Sequence, residues 1–157
     1  MTTCPQLYNF QYKLLHRSLP TNKWLFNCRL RENPFCRFCQ NVIEDLLHLF
    51  CQCPQIFRFW QEIVAWLSPE LNLYASINAQ TIILGIYDAQ ADLENTIILL
   101  TKRYIFISKI NENVPNLPSV KMFIRRHYLL EINVTCDRKR EKYKKKWEKI
   151  KNKFDSL

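Results

Sequence analysis

Apolar residues recur at helical spacing along most of the chain. In residues 7–18 (LYNFQYKLLHRS), Leu7, Phe10, Leu14 and Leu15 share one face, which predicts a first amphipathic helix. Leu19-Pro20-Thr21-Asn22 interrupts the pattern. Pro20 reads as the stop of that helix, and Thr21 or Asn22 as the cap of a short second one over 23–30, burying Trp24, Leu25 and Cys28. The run 55–67 is the clearest. Ile56, Phe57, Trp60, Ile63, Val64 and Leu67 follow the helical repeat with Gln55, Arg58, Gln61 and Glu62 outward, and Ser68-Pro69 ends it. Residues 70–80 are a polar connection. Thr81 to Tyr87 (TIILGIY) reads as the one strand, or as a buried turn around Gly85. Two longer helices follow: 91–110, offering Leu93, Ile97, Leu100, Tyr104 and Ile107 for burial, and 120–134, capped by Ser119. In 137–154, Tyr143, Trp147, Ile150 and Phe154 form a narrow apolar stripe on a lysine-rich helix.

This pattern predicts a mainly α fold: a small multi-helix domain with a basic C-terminal helix. The expected division is a helical domain over 1–70, a helical extension over 71–136 and the basic amphipathic helix over 137–157. Composition supports the class. Gly85 is the single glycine in 157 residues, so hairpin turns and phosphate-cradling glycine loops are disfavoured. The first residues lack the charged start, apolar run and cleavage site of a signal peptide. No apolar run is long enough to span a membrane. The expectation is an intracellular protein of nucleus or cytoplasm, not secreted and without a membrane partner.

Charge adds a partner class. The chain carries 23 Lys and Arg against 14 Asp and Glu, a net of +9. Residues 137–157 hold ten basic against four acidic residues, a net of six out of the nine. Such concentration suggests a polyanion, most often nucleic acid, RNA or DNA. The candidate backbone contacts are Arg125 and Arg126 on the 120–134 helix, and Arg138, Lys139, Arg140, Lys144, Lys145 and Lys146 in the tail. Docking of the tail stripe on the body, with its lysines in solvent, is the first reading of that helix and does not exclude nucleic-acid contact.

The chemistry concentrates in Cys36 to Cys53, CRFCQNVIEDLLHLFCQC. Cys36-x2-Cys39 is followed after eight residues by His48 and after four more by Cys53. Two cysteines separated by two residues can turn both thiolates toward one ion, and a histidine and a further cysteine complete a tetrahedral Cys3His set. Asp45 is placed to cap a short helix over 46–50 that carries His48, and Pro54 to open the next helix with Cys53 at the junction. Cys51 could substitute for Cys53. A ligand beyond the helix end gives the turn that closes the site, which favours Cys53. Four protein ligands leave no open position, so the expected cofactor is one structural Zn2+. Nothing resembles a phosphate loop, a nucleophile elbow or a His-Glu-x-x-His helix, so no catalytic residue is assigned and no enzyme activity is expected.

The order of these phrases resembles a known family. FQYKLLHRSLPTNKWL, PFCRFC, EDLLHLF and CPQIFRFW are similar to the zinc-binding region near the C-terminus of non-LTR (LINE-like) retrotransposon reverse transcriptases. Residues 9–67 carry the specific likeness. Asp45 stands where the family often has threonine, and both can cap a helix. A weaker likeness runs through Asn95, Lys102 and Lys146-Trp147. The resemblance implies a zinc-stabilised segment that binds template RNA or target DNA beside the remainder of a reverse transcriptase. Neither the polymerase's paired aspartates nor the endonuclease is present in these residues. Two alternatives stay open: a scaffold that docks on a protein partner, and a decayed retroelement fragment.

Overall fold

The computed structural model describes residues 4–71, 73, 77–134 and 137–155, without the side chains of 134, 137, 138 and 155. Eight α-helices are present among them: α1 (Pro5–Leu15), α2 (Asn22–Asn27), α3 (Pro54–Leu67), α4 (Ala79–Leu84), α5 (Asp92–Ile110), α6 (Leu117–Val134), α7 (Asp137–Trp147) and α8 (Asn152–Asp155). A π-turn (His48–Gln52) precedes α3, and a 3-10 turn (Glu148–Ile150) separates α7 from α8. The described residues contain no strand, only one antiparallel bridge between Phe35 and Ile43. The fold is mainly α.

The long helix α5 is the centre, packing against α1, α4, α6 and α7. Its burial runs almost all round, from Leu93, Ile97 and Leu100 to Ile105 and Phe106, and includes the ammonium-bearing Lys102 and Lys109. One continuous apolar core extends from Leu7 through Phe50, Trp60 and Ile97 to Phe154. The tail stripe belongs to it. Tyr143, Trp147, Ile150 and Phe154 are all buried, with Phe154 stacked on Tyr128 at 5.3 Å between ring centres.

Several local expectations need correction. Thr81 to Tyr87 forms no strand: Asn78 and Thr81 build a reciprocal capping box, which starts α4, and Gly85 ends it at φ 96°. The glycine is required there twice over. A Cβ would also stand 2.9 Å from Asn95 Oδ1, the atom that accepts the Ile86 N–H at 2.7 Å while Asn95 Nδ2 donates to Ile86 O at 2.9 Å. Helix α1 stops at Leu15, well before Pro20, because Arg17 turns left-handed at φ 52° and Ser18 N–H closes on Lys13 O. Leu15, within α1 but off the buried Leu7, Phe10 and Leu14 face, is exposed. Helix α2 buries its entry, Thr21 and Asn22, and leaves Trp24 and Cys28 in solvent. In α3 the stripe is Ile56, Phe59, Trp60, Ile63, Val64 and Leu67, and Phe57 points outward. The cap of α6 is Asn116, whose Oδ1 accepts the Ser119 N–H, so the helix begins ahead of Ser119.

Candidate metal centre

Each ligand of the Cys36–Cys53 window is placed by a different local device. The cysteine pair sits in a tight turn in which Gln40 N–H donates to Cys36 O and Cys36 N–H to Val42 O. Gln40 takes φ 58°, the left-handed step that lets the chain reverse after Cys39. His48 follows the cap expected of Asp45, whose Oδ1 accepts the His48 N–H at 2.8 Å. From His48 the helix widens to a π-turn, closed by Cys53 N–H donating to His48 O at 2.9 Å. In an α-helix, positions five apart point about 140° away from each other. The wider turn swings Cys53 back toward the side of His48. The extra carbonyl is held from outside: Trp60 Nε1–H of α3 donates to Phe50 O at 2.8 Å.

The outcome is one cluster. Cys36, Cys39, His48 and Cys53 bring one ligand atom each, all within 4.8 Å of one another, with three of the residues buried and Cys39 half-buried. Cys36 Sγ and Cys53 Sγ stand 3.8 Å apart, and Cys39 Sγ lies 3.3 Å from His48 Nε2. Two sulfurs at about 2.3 Å from a tetrahedral ion are separated by about 3.8 Å, and a sulfur and a nitrogen by slightly less. The donor set and the spacing therefore fit zinc. Hydrogen bonding from the Cys36 thiol, followed by the backbone N–H groups of Ile56 and Gln55 at the start of α3, holds the Cys53 thiol down at about 5. Burial opposes that shift, and the direction of the net effect favours the thiolate form that a cation takes as ligand. Cys51 is half-buried and outside the cluster. Burial pushes its thiol up to about 11 despite the nearby Lys102 ammonium.

A buried carboxylate, Glu44, organises the frame around these ligands. Glu44 is fully buried. Its Oε1 accepts the Asn22 N–H at 2.8 Å and pairs with Lys109 Nζ at 2.8 Å, while Oε2 accepts the Arg37 N–H between the two cysteines at 3.2 Å. Asn22 Nδ2 donates to Phe35 O at 2.6 Å, and Lys109 Nζ also reaches Pro20 O. Glu44 thus ties α2, the cysteine turn and α5 together. Burial lowers the Lys109 pKa from its ordinary value, with Glu44 working against the shift. The spacing from Asn22 to Glu44 and on to Lys109 carries no periodic signal, which is why reading the sequence missed the triad.

Residues 2–60 match the family model described as zinc-binding in reverse transcriptase. The matched residues contain all four ligands, and the closed Cys3His cluster gives that zinc-binding domain a single structural zinc with no position left for substrate. The matched domain is a zinc-binding one and not a catalytic one. No curated protein and no solved structure matches the chain.

The basic candidates do not share one environment. Arg126, Lys139, Lys144 and Lys145 are exposed, and Arg125 and Arg140 half-buried. Lys144 pairs with Glu141 at 2.7 Å in solvent, a contact of little weight. Lys146 turns inward instead. Its side chain is 5% exposed, with Nζ 3.2 Å from Glu131 Oε2 and 3.7 Å from Asp92 Oδ2. That ammonium anchors the tail and is withdrawn from any backbone contact. Arg138 lies outside the described side chains. Among the described residues no helix is long and apolar enough to cross a membrane.

Proposed function

We propose that the chain is a zinc-stapled, nucleic-acid-binding segment of a non-LTR-type reverse transcriptase, without catalytic activity of its own. The observation that carries this reading is the match of residues 2–60 to a reverse-transcriptase zinc-binding domain whose four ligands close around one ion. Charge supplies the binding term. With a net of +9, and with Arg126, Lys139, Lys144 and Lys145 in solvent on α6 and α7, the chain offers phosphates several exposed cations whose contacts release counterions. The zinc holds the fold and the helices hold the ligand.

A salt titration of single-stranded RNA and DNA binding tests it. Affinity should fall linearly on a log–log scale, with a slope of about −0.7 for each phosphate engaged. Binding that is absent, or indifferent to salt, removes the reading.

One observation favours a second reading, a docking scaffold. A groove of about 530 Å3 between α1, α2, α4 and the segment 45–47 ahead of the π-turn is lined by Leu15, Trp24, Leu47 and Leu84, all large apolar side chains in solvent. Self-association of purified protein that is relieved by Trp24→Ser would support it over nucleic-acid binding.

A further inference from the structure

The groove bounded by α1, α5 and α6 encloses about 270 Å3 and brings together Arg103, Arg126 and His127 over a floor that includes Leu100 and Phe123. These three cationic or ionisable groups come from two helices, and Gln6, in the first turn of α1, lines the same space. Arg103 is held in place: its guanidinium lies over the Phe10 ring, 5.5 Å from the centroid. Among the described residues no carboxylate pairs with Arg103 or Arg126. The carboxylate behind His127, Glu131, lies 3.3 Å from its Nε2 and is already matched by Lys146 and by Trp147 Nε1 at 2.7 Å. Glu131 therefore does not neutralise the arginines.

Two guanidiniums without a carboxylate, lining one concave site with Arg103 held against Phe10, are chemistry for a phosphate group. Size narrows the ligand. Clefts that enclose whole small molecules run from about 300 to 1,000 Å3, so this one suits a phosphate and its ester carbons better than a complete nucleotide. We infer that the α1–α5–α6 groove seats one backbone phosphodiester of a single-stranded nucleic acid, gripped by Arg103 and Arg126. The inference rests on the nucleic-acid reading above and gives it a site. It adds Arg103, which lies on the central helix outside the basic tail. His127 and Gln6 complete the wall.

The test uses the full zinc-loaded chain and a fluorescein-labelled single-stranded oligonucleotide, with AMP as a competing ligand. Arg103→Gln/Arg126→Gln should weaken oligonucleotide binding roughly tenfold, equally for different sequences, and reduce the salt slope by about 1. Arg126→Gln alone, on an exposed side chain, should give part of that loss, with zinc content and helical circular dichroism unchanged. Arg58→Gln removes one exposed charge from α3, outside the groove, and should leave the slope near its original value. If the chain binds no oligonucleotide at all, both the nucleic-acid reading and this site fall. If it binds but the double and single variants match the unsubstituted chain, only this site falls. AMP binding that the double substitution abolishes, with oligonucleotide binding intact, assigns the groove to free nucleotides and overturns the backbone proposal.

Discussion

At the residue scale the decisive pair is Cys51 and Cys53. Both lie near His48 in sequence, and spacing alone left both available. Cys53 enters the cluster because the π-turn carries it round to His48 and because α3 begins directly after it, so that backbone N–H groups face its sulfur. Cys51 leaves the same turn in another direction, toward Lys102. Cys53→Ser should therefore lower bound zinc from one per chain to well below one and unfold the segment around residues 30–60, as Cys36→Ser should. Cys51→Ser should keep full zinc. Metal content by atomic emission on protein purified under reducing conditions decides between them; equal retention by both variants would displace Cys53 from the site.

At the element scale, helix ends are where this chain departs most from its own pattern. With Gly85 the only glycine, three helices end on non-glycine residues in the left-handed region: Arg17 after α1, Arg29 after α2 and Glu112 after α5. Each is followed by the same closure, Ser18 N–H to Lys13 O, Leu30 N–H to Leu25 O and Asn113 N–H to Ser108 O, the six-to-one bond of a Schellman motif. A side chain at positive φ costs of order 1 kcal/mol, which the closing hydrogen bonds offset. Arg29 is exposed and forms no ion pair among the described residues. Arg29→Gly should accordingly raise unfolding free energy by about 0.5–1 kcal/mol, after the greater entropy of glycine in the unfolded chain is subtracted. Urea unfolding of the two proteins measures it, and a loss of stability would show that Arg29 contributes a contact the backbone argument omits.

At the scale of the whole molecule, buried polar groups lock the helices into one arrangement. Asn95 grips the backbone of Ile86, and Lys146 and Trp147 share Glu131. Lys102 Nζ donates to Gln11 Oε1 of α1 and to Ile83 O of α4. Burial lowers the Lys102 pKa from 10.5 to about 7, only partly opposed by Cys51. The unfolded chain then binds more protons than the native one between about pH 7 and 10.5, so Lys102 makes stability rise with pH across that window. Lys102→Met should flatten this rise, which thermal melts at a series of pH values would record; an unchanged slope would mean that Lys102 keeps its proton when folded.

Sequence by itself determined the helical class, the course of α1, α3, α5, α6 and the docked stripe of α7 and α8, because apolar periodicity reports directly which face of a helix leaves water. It also determined the candidate zinc donor set, because thiol and imidazole at knuckle spacing have few other uses. Tertiary structure alone decided the rest. An asparagine of α5 gripping the backbone of Ile86 fixed TIILGIY as a helix with a glycine exit, where local composition favoured a strand. The burial of Glu44, Lys102, Lys109 and Lys146 depends on partners between 15 and 91 residues away in the chain. No window along the sequence contains such pairs, and for that reason a charge that periodicity places in solvent can end up holding the core together.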